Sequence, residues 1–473
     1  MRLLSICCFL FCYFGLLAQE ISISEPIPLR SETHFTILGK LEGNSVVFIN
    51  KSTEFELVAF NDKMNKTWQK EIELEKRLPK VLSVIAPDQT GFFLTYTHRQ
   101  KNHTILKTHH YDHTGNVLDT VTIKDFGSRL YTPQLQTYHS EDKTKLLFYE
   151  LESSRIKNVF VFDTQTMELL WEDTFEDFDL GAGDQELHQI VIDNAGHVYL
   201  ILARDNFSSR NKIHHLEIVE RRTNSNEKLI YKIALEGKLT YDNAFEYDNL
   251  NQHLVGGGLY SDKNRGRTQG YYYLRIPKND HENYVFASHP FDQQFQEEFM
   301  DKTNLKQEGI NDTEVKEILF RRDGGILMLG ERSRRNTREQ NSSSYYTPYT
   351  KGTRDFFFNN MYIYSIHPTG EMHWRHVLHK KQYSYDDDGI YSSYFLLKTP
   401  SNIRLIYNDD IKNENTVSEY VIQGNGKHER NSVLSTENQD IRLQFRASVQ
   451  TGAREFIVPS ERRNRLRLVR VRF

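Results

Sequence analysis

The chain has 473 residues and a formal net charge of −4, and its only cysteines are Cys7, Cys8 and Cys12. Near-neutrality over this length removes any global electrostatic case for nucleic-acid binding. Beyond Cys12 the lack of thiols excludes disulfides, thiolate metal sites and cysteine nucleophiles, so a core and sheet hydrogen bonds must carry stability.

Residues 1–18 read as a secretory signal peptide. Arg2 supplies the positive start, LLSICCFLFCYFGLLA is apolar, and small Ala18 suits cleavage before Gln19. The run is short for a bilayer span and no basic stop-transfer cluster follows. Bulky Phe11 before Cys12 speaks against lipidation. No other segment is apolar enough to cross a membrane, so the expected protein is exported, periplasmic or extracellular, with no span after processing.

From there the chain repeats. A polar turn and an apolar run recur as SVVFIN from Ser45, GFFLTYT from Gly91, KLLFYEL from Lys145, HVYLILA from His197, HLVGGGL from His253, GILMLGE from Gly325, IRLIY from Ile403 and REFIV from Arg454. The spacing is roughly fifty residues, stretched to about seventy-five around the fifth and sixth units, and a period of short strands on that scale marks a β-propeller. The third unit shows four strands: LQTYHS near Leu135, then Lys145 to Leu151, NVFVFDT from Asn158 and LLWEDTF from Leu169. Val, Phe, Tyr and Ile suit half-buried pleated surfaces, and Asp-Gln-Thr-Gly, Asp-Asn-Ala-Gly and Asp-Gly-Gly supply the turns. Trp68, Trp171 and Trp374 all open the outermost strand of their units, where each indole should pack between blades.

The last unit has RLQFRAS near Arg442, REFIV and LRLVRVRF, and lacks an outermost strand. EISISEPIPL, residues 20–29, can supply it and close the ring. The expectation is an all-β propeller of four-stranded antiparallel blades in a single domain, 19–473. Eight blades are expected, with seven as the alternative. Two insertions interrupt the period. In 291–311, Phe291, Phe295 and Phe299 recur every four residues, which predicts a short amphipathic helix. The stretch 332–354, rich in Arg, Ser and Tyr, predicts a polar loop.

Thr166 and Trp171 of FDTQTMELLW, and Thr369, Gly370 and Trp374 of HPTGEMHW, resemble the tryptophan-docking motif of quinoprotein propellers, which runs Asp, two residues, Thr-Gly, three residues, Trp. Asp163 is present where Met167 replaces the Gly; Gly370 is present where Ile366 replaces the Asp. The resemblance implies an eight-bladed fold of the quinoprotein-like and WD-repeat-like propeller superfamily. Methanol-dehydrogenase-type members carry an adjacent cysteine pair over the quinone. The chain after Gln19 has none, so quinone catalysis is not carried over.

Candidate site residues are few. His109, His110 and His113 with Asp112 straddle a strand and its turn, so they should point to opposite faces of a solvated hairpin. The adjacent His214 and His215 should diverge for the same reason. Asp386, Asp387 and Asp388 repel one another and offer a weak Ca2+ site, as do Asp177, Asp179 and Asp184, although the spacing departs from that of a calcium loop. Arg467, Arg470 and Arg472 alternate on a strand and could line an anion- or polysaccharide-binding face. Arg334 and Arg335 with Tyr345, Tyr346 and Tyr349 suit partner binding. No nucleophile elbow, phosphate loop or zinc-protease helix occurs. The expected function is a non-catalytic, monomeric binding scaffold of the bacterial envelope with a protein or glycan partner and no cofactor. The alternative is a carbohydrate-binding or carbohydrate-active propeller with its site at the central channel.

Overall fold

The structure, a computed structural model, describes residues 19–473 apart from 31–32, 76, 130–131, 153–154, 176–184, 208–212, 263–266, 306–308, 339–352, 410, 412–415 and 437–438. Eight four-stranded antiparallel sheets follow one another along the chain as blades 1 to 8. Within each blade the strands are lettered a to d from the channel outwards. Blade 1 comprises His34–Leu41, Asn44–Asn50, Phe55–Phe60 and Lys66–Ile72.

Eight apolar clusters lie between consecutive blades, the last joining blade 8 to blade 1. This settles the count at eight rather than seven. The second strands read as continuous apolar runs because each is covered on both faces. In Lys145–Glu152, Leu146 and Phe148 pack towards blade 2, while Leu147 and Tyr149 pack towards blade 4.

Ring closure uses the N-terminus. Glu20–Ile23 pairs antiparallel with Arg465–Arg472, in the register Glu20↔Arg472 to Ile23↔Val469, and Ile27 pairs with Leu466. Ile27 and Leu29 join the apolar cluster between blades 8 and 1. RLQFRAS, expected as the innermost strand of this blade, is not one. Phe445–Ala447 forms a 3-10 turn and Val449–Gly452 is strand 8a. Phe445 is wholly buried and anchors that turn in the blade 7–8 cluster.

The inner strands are strapped together by glutamine side chains. Gln189 on Gln185–Ile192 (4a) donates to the carbonyl of Phe245 at 2.7 Å and accepts from its N–H at 2.8 Å. Gln450 (8a) treats Lys398 in the same way, at 2.7 and 3.1 Å. A side-chain amide thus continues the backbone pairing across the gap where neighbouring blades splay.

All three tryptophans occupy d strands. Trp171 Nε1 donates to the carbonyl of Gly196 in the next blade at 3.0 Å. Helix α1, Gln293–Met300, is capped by Asp292, which accepts from Phe295 N–H at 2.8 Å. Phe291, Phe295 and Phe299 are buried among Tyr271, Tyr362 and Tyr364, so the helix seals the junction of blades 5 and 6. The insertion read as a loop over 332–354 is narrower. Strand 6b runs Ile326–Arg338 and 6c runs Thr353–Ile366, paired as far as Arg338↔Thr353.

Candidate functional site

The a–b and c–d turns lie on one face of the disc. The b–c turns and the connections from d to the next a lie on the other. Helix α1, the extended 6b–6c hairpin and the connection after strand 6d, Met372–Leu378, are all on this second face.

The connection after 6d contributes an extra strand, Gln382–Tyr385, which pairs with Asp355–Phe358 and makes the hairpin three-stranded beyond the blade. The two sides of this outrigger sheet differ. Phe356, Phe358, Gln382 and Ser384 are buried against the disc. The other side carries Arg334, Phe357 and Tyr383 in one cross-strand row. The Arg334 guanidinium lies 4.8 Å from the Phe357 ring centre, and the Phe357 and Tyr383 rings are 5.1 Å apart. Arg338 grips Asp355 through Nε and Nη2, both at 2.6 Å, and Tyr383 donates to the same carboxylate at 2.9 Å. The Arg338 bond holds the Asp355 carboxyl below its usual range. Tyr385, 59% exposed, extends the patch. Arg334 and Arg335 pair with successive residues, Phe357 and Phe356, and so lie on opposite sides of the sheet. Tyr345, Tyr346 and Tyr349 lie outside the described residues. Phe357, Tyr383 and Tyr385 were missed in the sequence, although QYSY carries the period-two signal that could have found them.

Asp386, Asp387 and Asp388 follow this strand and serve its turn. Asp386 accepts from Arg354 N–H at 2.9 Å. Asp387 Oδ1 accepts from Ser384 Oγ at 2.8 Å and from Gly389 N–H at 2.9 Å. Asp388 faces Arg354 at 3.8 Å. Among the described residues no group of three or more His, Cys, Asp or Glu is placed to hold a metal ion. Asp177, Asp179 and Asp184 lie outside those residues.

Beneath the outrigger runs a buried polar network. Lys380, fully buried, donates to Glu331, to Gln382 Oε1 at 2.6 Å and to the Phe358 carbonyl at 3.2 Å. Ser393 donates to the second Glu331 oxygen at 2.6 Å, and Gln382 reaches the Asn408 carbonyl of blade 7 at 2.6 Å. Burial pulls the Lys380 ammonium down and Glu331 opposes it.

The histidine run is less solvated than expected. His109 is buried, with Nε2 2.9 Å from Tyr96 Oη and Nδ1 2.9 Å from Tyr111 Oη. His110 points the other way and stacks on Phe93 at 4.3 Å. His214 is buried and reaches the Arg204 carbonyl at 2.7 Å, whereas the His215 ring faces the Ile213 carbonyl at 3.1 Å. Of the C-terminal arginines, Arg470 is buried, Arg472 is exposed, and Arg467 lines a small cavity of about 150 Å3 with Arg462, Arg463, Arg465, Asp440 and Ser460.

The channel mouth on the opposite face holds a cavity of about 310 Å3 lined by Tyr138, Glu141, Gln189, Glu246, Tyr247 and Asn249, among others. Glu246, on the inner strand Leu239–Asp248 of blade 5, sits in the wall of this cavity. Desolvation there pushes its carboxyl up to about 7, Lys398 opposes the shift, and Glu317 and Glu141 add to it.

No protein-family model and no curated protein matches the sequence. Among solved structures, the chain is similar to Sqt1 of Saccharomyces cerevisiae, at 10% identity and TM-score 0.44, covering 94% of this chain and 98% of that one. It is also similar to the WD40 domain of SCAP from fission yeast, at 9% identity and TM-score 0.40, over 96% and 98%. The β-propeller domain of the Trilobed protease from Pyrococcus furiosus matches at 12% identity and TM-score 0.32, over 87% and 92%.

Proposed function

We propose that this chain is a non-catalytic binding propeller of the bacterial cell envelope, exported by its leader and acting as a monomer, with a protein partner on the outrigger face. One observation carries the reading. The outrigger exposes a row of Arg334, Phe357 and Tyr383, extended by Tyr385, on a sheet whose other side is fixed to the disc. Arginine and tyrosine held rigidly at low entropic cost are the side chains that dominate protein interfaces. The test is affinity capture from envelope extract with residues 19–473, comparing the natural protein with Arg334→Ser/Tyr383→Ala/Tyr385→Ala. A discrete protein retained by the former and lost by the latter, at unchanged Tm, supports the reading; identical capture overturns it.

A second reading, a glycan ligand at the channel mouth, is favoured by Tyr138, Glu141 and Glu246 around one cavity. Aromatic faces and carboxylates are the groups that hold sugar rings and hydroxyls. Glycan binding that disappears in Tyr138→Ala and Glu246→Gln while the outrigger variant keeps it would favour this reading.

A further inference from the structure

At the foot of the outrigger the register slips. Glu331 faces Met361, but Ser333 faces Phe358. Arg332 on one strand, and Asn359 and Asn360 on the other, are left out of the 6b–6c pairing. These three residues line a cleft of about 520 Å3, together with Lys302, His379 and Lys381. A bulge of this kind re-aims side chains away from the sheet.

The cleft wall is built from satisfied groups. Asn360 Nδ2 donates to the Phe299 carbonyl at the end of α1 at 3.0 Å, and Asn360 Oδ1 accepts from Lys380 N–H at 3.2 Å. Lys380 is neutralised by Glu331. Arg430 is neutralised by Asp409, at 2.7 Å to each oxygen. What remains is positive. Among the described residues Lys302, Arg332 and Lys381 have no ion-pair partner, and Asp301 is the one other carboxylate in the lining. Arg332 is half-buried. Burial lowers its affinity for its proton, Asp312 opposes that and Arg334 adds to it. A half-buried guanidinium that makes no ion pair, with Asp312 acting on it only from beyond contact, is an incomplete pair, which an incoming anion completes.

We infer that this cleft takes a carboxylate-rich peptide segment of the partner, so that an acidic stretch enters beside the outrigger while an apolar part of the partner covers Phe357 and Tyr383. The inference rests on the docking reading above. Its three free cations come from three separate elements: the end of α1, strand 6b and the connection after 6d. They surround a volume far larger than one phosphate, and the cleft opens onto a groove along α1 that shares Asp301, Lys302 and His379 but also carries Glu297 and Glu298, so the acidic stretch is held within the cleft and a neutral part of the chain leaves along the groove. Spread charge with an open exit fits an extended chain.

The test uses residues 19–473 and two blocked hexapeptides, hexaglutamate and hexaglutamine, in a calorimetric or anisotropy titration. Hexaglutamate binds and hexaglutamine does not, and affinity falls steeply as salt is raised from about 50 to about 500 mM, as expected for screened charges. Arg332→Gln/Lys381→Gln weakens hexaglutamate binding by about tenfold or more, since two charged contacts are lost. Lys302→Gln/Lys381→Gln, which alters only exposed side chains, does the same at unchanged Tm. The outrigger variant Tyr383→Ala/Tyr385→Ala keeps the peptide affinity. Absence of binding, equal binding by either cleft variant, or inorganic phosphate binding as tightly as hexaglutamate overturns the inference. The peptide assay needs no partner and the capture assay needs no cleft, so the two readings fail separately.

Discussion

Arg470 Nη2 donates to Glu455 Oε2 at 2.6 Å, and this pair sits at the seam of the ring. The same guanidinium bonds through Nη1 to the carbonyl of Asp62 in blade 1, and it lies 3.8 Å from Glu20 on the N-terminal strand. One almost wholly buried side chain thus touches the last blade, the strand that completes it and the first blade. A planar fork with fixed donors suits such a junction better than a flexible ammonium.

Arg470→Met should therefore be costly. It leaves Glu455, itself buried, without its counter-charge, and stranding a buried charge costs about 3–5 kcal/mol. Chemical denaturation measures the loss. Arg470→Lys should recover only part of it, and an unchanged midpoint for the Met variant would show that the seam is held elsewhere.

Deleting residues 19–29 opens the same seam from the other side. It removes the pairing of Glu20–Ile23 and Ile27 with Arg465–Arg472 and takes Ile27 and Leu29 out of the blade 8–1 cluster. The melting temperature should drop by several degrees, and the exposed edge should promote aggregation. A truncated protein that melts unchanged and stays monomeric would contradict this.

Gly426 should not tolerate a methyl group. Its φ is +87°, and a Cβ there would lie 2.9 Å from the Trp374 indole of the preceding blade. The left-handed conformation alone costs an L-residue about 1–2 kcal/mol, before the indole is displaced. Gly424, with open space around it, is the internal control. Gly426→Ala should lower stability and Gly424→Ala should not; equal effects would remove Trp374 from the explanation.

The blade repeat was visible in the sequence because every second strand is buried on both faces, so its apolar run is unbroken, and because the three tryptophans recur at one position. Ring closure was visible because an unfinished blade and an orphan β-rich segment stood at opposite ends. The outrigger was not. Its strands 6b and 6c run far past the blade with charged residues such as Arg334, Arg335 and Arg338, so local polarity suggested a loop. Their pairing is secured from below by Phe356, Phe358 and the distant strand Gln382–Tyr385, which no local pattern reveals. The acid triplet drew attention for its charge, yet the binding candidates are the two tyrosines just before it. Lys380 and Glu331 lie far apart in the chain, and nothing about either residue alone announces a buried pair.

Acidification should weaken the fold at its buried histidines, against the opposing contribution of Glu246, whose raised carboxyl takes up a proton in the folded chain first. His109 is enclosed by Tyr96 and Tyr111, and burial lowers its pKa from the ordinary 6.5 to about 4, with Lys107 and His98 adding to the shift and Glu75 opposing it. Tyr96 donates to Glu75, so its oxygen accepts from His109 Nε2–H, while Tyr111 donates to Nδ1; the ring is held neutral. Between pH 6.5 and about 4 the unfolded chain binds a proton that the folded chain refuses. This contribution is complete above the unfolded value and is lost as pH falls, up to about 3 kcal/mol. His197 shifts in the same direction, to about 4. Glu75, held down at about 2, loses its contribution only in the more acidic window below 4.5. Urea midpoints near pH 7.5 and near pH 5 should differ, and His109→Gln should reduce the difference. A variant with the same pH slope would exclude His109 as its source.

The Lys380–Glu331 pair gives the sharpest distinction between a group that stabilises and one that is merely satisfied. Both side chains are fully buried, and their remaining valences are filled by Gln382, Ser393 and the Phe358 carbonyl. Removing either partner alone strands a charge away from water. Lys380→Met or Glu331→Leu should each cost about 3–5 kcal/mol and loosen the connection that carries Gln382–Tyr385. Removing both leaves no buried charge. Lys380→Met/Glu331→Leu should then be milder than the sum of the single variants by about 2 kcal/mol or more, the sign of strong coupling. A double-mutant cycle in denaturant measures that difference directly. Proteolysis of the outrigger reports the local effect: if the single variants unfold globally without early cleavage near Tyr385, the pair supports the blade and not the outrigger sheet above it. Additive losses in the cycle would show that the two charges do not stabilise each other at all.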